Sequence, residues 1–153
     1  MKNVLFLVFL SFLIFSCGSD DDNNDDLPVI VQFVSVNVDG VSRVFDDNVT
    51  IDLVENALNY RLEDNNSDDW ISFRIAENLV GTDFIGDFIL NMDGINFIPS
   101  PMSPLGEFTS TISLNNSTGL TGVFSGGLAN EFDASMPQLP EVALTNGIIQ
   151  IER

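Results

Sequence analysis

From Leu27 onward apolar and polar residues alternate with a period of two more often than 3.6, the pattern of strands with one buried face. Val34-Ser35-Val36-Asn37-Val38 is a clear half-buried strand, and Asp39-Gly40 behind it is a hairpin dipeptide that makes Val41 to Phe45 the partner. Asp46-Asp47-Asn48 then turns the chain into Val49 to Leu53. Alternation resumes over Leu58 to Leu62, stops in the acidic loop Asp64 to Asp69, and returns over Trp70 to Ile75. Later runs cover Asp83 to Asn91, Ile95 to Ile98, Glu107 to Leu114, Leu120 to Ser125 and Val142 to Glu152. Asp93-Gly94 and Asn146-Gly147 are two further hairpin signals, while Pro99, Pro101 and Pro104 predict one exposed loop and Ala129 to Pro140 another. No segment has a helical apolar stripe, and Ala76 to Leu79 reads as a helical turn at most. About nine to ten short strands with turn signals between them predict an all-β domain, an antiparallel β-sandwich or open barrel, over residues 27–153.

The first residues follow another logic. Met1-Lys2-Asn3 is a short basic start, and in Val4 to Phe15 only Ser11 is polar. A bilayer span needs about 20 apolar residues, so residues 1–16 read as a secretory signal peptide removed on maturation. Ile14-Phe15-Ser16-Cys17 resembles a bacterial lipobox, with an aliphatic residue three positions before the cut, a small one just before it, and the cysteine that receives lipid. Cys17 is the one cysteine of the chain and stands directly behind the apolar run, which favours lipidation over an ordinary signal peptide. A diacylglycerol plus an amide-linked acyl chain would anchor it firmly, at roughly 0.8 kcal/mol per buried methylene.

Charge sharpens the division. Without residues 1–16 the chain holds 23 Asp and Glu against 4 Arg. Residues 17–26 are a polar, Asp-rich segment that cannot bury apolar area and is expected to act as a solvated tether. Within it Ser19-Asp20-Asp21-Asp22 resembles the acidic signal that sends lipoproteins of the Bacteroidota to the outer face of the outer membrane. The expected localisation is therefore the outer membrane, lipid-anchored and facing the cell exterior. The same charge argues against nucleic acid as a partner, since phosphates are repelled. From Leu27 on, 18 acids against 4 Arg should weaken the fold by self-repulsion. Added salt is therefore expected to raise the melting temperature of the domain freed of its tail, and a flat or falling trend would contradict this.

Missing residues exclude most catalytic chemistry. The chain has no histidine and its one lysine is Lys2, so neither an imidazole-based triad nor a Walker-type phosphate loop can be built from it. One cysteine allows no internal disulfide and, without histidine, no Cys/His zinc site. Asp64-Asn65-Asn66-Ser67-Asp68-Asp69 has oxygens at alternate positions, as calcium loops do, yet Asp69 stands where such a loop needs Gly and Ile75 where it needs Glu. It reads as a solvated hairpin loop, and neither metal nor cofactor is expected. Paired carboxylates remain, but the acids are readily placed in turns and on wet faces, so no enzyme is expected.

One candidate ligand patch follows from strand parity. With Ile71, Phe73 and Ile75 inward, Trp70, Ser72 and Arg74 face out, and the same reasoning puts Leu58, Tyr60 and Leu62 in and Arg61 out. If the two runs pair across the Asp64–Asp69 loop, Arg61, Trp70 and Arg74 share a face that could stack on a sugar ring or grip an acidic ligand. The plainer alternative is that both arginines neutralise acids such as Asp52 and Glu63 while Trp70 caps a sheet edge.

The order of Gly106-Glu107-Phe108, Leu120 to Gly126, and Val142 to Ile149 with Thr145-Asn146-Gly147 resembles small single-domain lipoproteins of the Bacteroidota, in which a Gly-x-Phe strand precedes a loop and a closing Thr-Asn-Gly hairpin. The strand pair around Asp39-Gly40 resembles their opening hairpin. The resemblance implies an all-β fold and a surface address, and carries over no particular activity. The expected function is a lipid-anchored structural or interaction module without catalysis, attached to the membrane and contacting surface proteins or glycans. The alternative is a glycan- or small-ligand-binding accessory of an outer-membrane uptake system.

Overall fold

The computed structural model describes residues 30–101, 105–131 and 142–153. The expected signal peptide, Cys17, the Ser19-Asp20-Asp21-Asp22 segment and the tether lie outside the described residues, as do Pro104 of the first expected loop and residues 132–140 of the second. The described residues form eleven strands and no helix: β1 (Gln32–Val38), β2 (Val41–Phe45), β3 (Asp47–Val54), β4 (Ala57–Glu63), β5 (Trp70–Ala76), β6 (Gly81–Thr82), β7 (Gly86–Met92), β8 (Ile95–Pro99), β9 (Thr109–Asn116), β10 (Gly119–Asn130) and β11 (Val142–Glu152). The sheet is antiparallel and nearly closed into a barrel. Its hydrogen-bonded path runs β2-β1-β11-β10-β8-β7-β5-β4-β3, with β9 on β10 and β6 on β9.

Closure has a covalent reason. The two ends of the path, β2 and β3, are consecutive in the chain and only Asp46 separates them. Its N–H donates to the Glu63 carbonyl at 3.1 Å, which ties the bend to the end of β4.

The alternation seen in the sequence becomes the core. Val34, Val36 and Val38 on β1, Leu58, Tyr60 and Leu62 on β4, and Ile71, Phe73 and Ile75 on β5 are all buried. Tyr60 and Phe73 face each other across the β4–β5 ladder and stack with centroids 5.0 Å apart. Asp39-Gly40 and Asp93-Gly94 make the expected two-residue turns, each with both residues at positive φ. Glu55-Asn56 makes the same kind of turn between Val54 and Ala57, although no glycine marks it.

Two expectations are corrected. Asp46-Asp47-Asn48 does not reverse the chain, because Asp47 and Asn48 already belong to β3. Asn146-Gly147 makes no hairpin either, since β11 runs unbroken through it. Asn146 takes φ 54°, and the ladders on both sides of β11 slip there, between Ser35 and Asn37 and between Phe124 and Gly126. The left-handed asparagine makes a bulge with an extra residue, which twists the strand and so serves closure. The same dipeptide supplies a turn or a bulge according to whether strands flank it on both sides, and here they do.

The strand count rises to eleven through the two-residue β6, and β10 extends to Asn130, into the segment expected to be loop. That length lets one edge of β10 serve two partners: β9 along Gly119–Ser125, then β8 along Leu128–Asn130. The barrel wall therefore forks beside β10.

Candidate functional site

Parity places Arg61, Trp70 and Arg74 on the outer face of β4 and β5, as expected, but not in one site. Arg61 stacks on Trp70, its guanidinium carbon 4.0 Å from the ring centroid. The same guanidinium bonds Glu63 at 3.2 Å, and the Asn48 amide donates to the other Glu63 oxygen at 2.8 Å. These two hydrogen bonds, that from Asn48 first, hold the Glu63 carboxyl below its ordinary pKa. Arg74 lies opposite Asn59 and turns away, donating to the Val54 carbonyl at 3.3 Å and pairing with Glu55 at 3.6 Å and Asp87 at 3.9 Å. The neutralising acids are thus Glu63, Glu55 and Asp87. Trp70 caps no edge, because β5 lies between β4 and β7.

Trp70 stands opposite the buried Asn91, whose amide donates to Asn96 at 2.7 Å; Asn96 in turn donates to Glu131 at 2.9 Å. An indole, a guanidinium, two amides and two carboxylates thus run across the outside of β4, β5, β7 and β8. Such a row offers donors and acceptors to a polar ligand, although Arg61 already occupies one ring face.

The loop with calcium-like spacing joins β4 to β5 and meets Arg43 of β2. Asp64 and Asp69 are buried and point their carboxylates at Arg43 on β2, at 3.9 and 3.6 Å. The second Asp69 oxygen accepts the Asp93 N–H at 2.9 Å. A guanidinium stands where an ion would need to bind, and among the described residues no group of three or more Cys, Asp or Glu is placed to hold a metal. At another point of the wall, the Arg153 guanidinium bonds the Tyr60 hydroxyl, Asn115 and the Asn116 carbonyl. Burial pushes its pKa below the ordinary value.

Two surfaces escaped the sequence reading. The first is an uncharged row across six strands: Val44, Ser35, Ile148, Val123, Thr111 and Thr82 follow one another in register from β2 to β6. Its apolar members are well exposed, Val44 at 43%, Ile148 at 44% and Val123 at 52%. The second is a groove of about 570 Å³ at the fork in the wall, lined by Ile85, Asp87, Phe88, Ile89, Ile98, Pro99, Ser100, Pro101, Glu107 and Phe108. One sequence signal pointed to it. Facing pairs in the β7–β8 ladder exchange hydrogen bonds alternately, and the pair due after Leu90–Phe97 is Phe88–Pro99, where proline has no N–H to give.

Comparison with known proteins adds no relative: no family model, no curated protein and no solved structure matches the chain. Among the described residues no helix is long and apolar enough to cross a membrane.

Proposed function

We propose that the chain is a lipid-anchored module of the outer membrane that works by contact rather than catalysis. The observation that carries the contact part is the uncharged row from Val44 to Thr82 on a strongly acidic domain. Acids keep most of such a surface apart from other acidic surfaces, so a partner is met most cheaply where there are none. Among the described residues, buried apolar side chains occupy the inside of the barrel, which leaves the outer face for contact. Ile14-Phe15-Ser16-Cys17 supports the anchor, and Ser19-Asp20-Asp21-Asp22 supports display on the cell exterior.

The anchor has a direct test. Cys17→Ser should move the protein from the membrane fraction to the soluble one and block lipoprotein processing. A variant that stays particulate and is processed as before refutes the anchor. Protease treatment of intact cells should degrade the wild-type domain, and its survival there would place it on the inner side.

A second reading, a glycan-binding accessory of an outer-membrane uptake system, is favoured by the Trp70 row, in which an indole lies beside Asn91 and Arg61. A bound sugar would displace Arg61 and change the environment of Trp70, the one tryptophan of the chain. Titration with neutral glycans should then shift its fluorescence, and a silent Trp70 removes this reading.

A further inference from the structure

We infer that the groove at the fork is a binding site for a small aromatic or aliphatic cation. The inference goes beyond the module reading and does not rest on the anchor. The groove exists because Pro99 cannot continue the ladder to Phe88, so β8 leaves β7 and joins β10, where Pro99 lies opposite Leu128. On the far side, Gly127 accepts from the Ser100 N–H at 3.2 Å and donates to the Gly106 carbonyl at 3.0 Å, which fixes both lips of the opening.

Phe108, half-buried, and the edge of the buried Phe88 line the groove, backed by the core. Phe88 and Phe108 lie 4.6 Å apart by centroid, and Phe124 packs against both, at 5.3 and 6.0 Å. Ile85, Ile89 and Ile98 complete the apolar lining, and the volume of about 570 Å³ suits a small organic molecule. The rim fixes the sign of the ligand. Among the described residues its ionisable members are Asp87 and Glu107, both exposed, and no basic side chain lines it. Arg74 reaches Asp87 only at 3.9 Å and is also engaged by Glu55 and the Val54 carbonyl. Two exposed carboxylates at the rim of an apolar groove attract a cation by charge, and the acidic domain raises its local concentration. An anion of the same shape meets repulsion from each of these terms.

The test uses three probes of one shape: naphthylmethyl-trimethylammonium, naphthylmethanol and naphthalenesulfonate. They are titrated calorimetrically into the purified full chain, with the same protein-free buffer as the blank. The cation should bind about tenfold more tightly than the alcohol, and the sulfonate most weakly. Glu107→Lys, at an exposed position, should remove or reverse that order without lowering the melting temperature. Ile98→Trp should weaken all three probes by filling the groove without changing its charge. Should that variant fail to fold, the Glu107→Lys result decides alone. Equal affinity for the three probes, absence of binding, or an order unchanged by Glu107→Lys each overturns the inference.

Discussion

Gly126→Ala should cost the domain on the order of 3–5 kcal/mol, a large share of the 5–15 kcal/mol usual for a folded domain. Gly126 sits at φ +142°, a conformation that residues with a side chain rarely adopt. A methyl group there would lie 2.4 Å from the Phe108 Cα, 2.7 Å from the Glu107 carbonyl oxygen and 2.7 Å from the Phe108 nitrogen. These are backbone atoms, so no rotamer change relieves the clash. Relief requires the 106–108 segment to move off β10, which strains the adjoining Gly127–Gly106 hydrogen bond and opens the Phe88–Phe108–Phe124 cluster. A urea titration should show a much lower midpoint with little change in slope. Gly40→Ala is the control: Gly40 has φ +82° but nothing within 4 Å of the added atom, so it should lose only about 1 kcal/mol, from conformation alone. Equal losses at the two positions would mean that the approach of β10 to the 106–108 segment is not what holds the fork.

Arg43→Met should be the next most damaging change, at roughly 2–4 kcal/mol. The arginine lies between Asp64, 8% exposed, and Asp69, 7% exposed, and the methionine keeps the stem while removing the charge. The two carboxylates are then left close together, buried and without their cation. Asp69 still accepts the Asp93 N–H, which keeps the loop partly in place and holds the loss below that of a fully orphaned pair. Adding Asp64→Asn to Arg43→Met should recover part of the stability, because one of the two buried charges is then gone. If the double variant is simply the sum of two losses, the ion pairs are not what fastens β2 to the β4–β5 loop.

The sites differ in how far the chain alone revealed them. Parity put Arg61, Trp70 and Arg74 on one face correctly, because alternation is local to each strand. It could not say that Arg61 lies on the indole while Arg74 turns to Glu55 and Asp87, since the turn bearing Glu55 and the strand bearing Asp87 were not yet paired with their neighbours. Arg43 was passed over for a similar reason. Its partners lie more than twenty residues on, in a loop whose spacing suggested calcium.

The all-β class, the inward faces of β1, β4 and β5 and the turns at Asp39-Gly40 and Asp93-Gly94 were settled by the sequence itself, because period-two patterning and left-handed turn residues act over a few positions. Long-range pairing decided the rest. Whether Asn146-Gly147 is a turn or a bulge depends on β1 and β10 lying on either side of it. Whether Pro99 ends a strand or forks a wall depends on β10 being long enough to take a second partner. The uncharged row is likewise assembled from six strands, each contributing one unremarkable residue, and only register brings them into line.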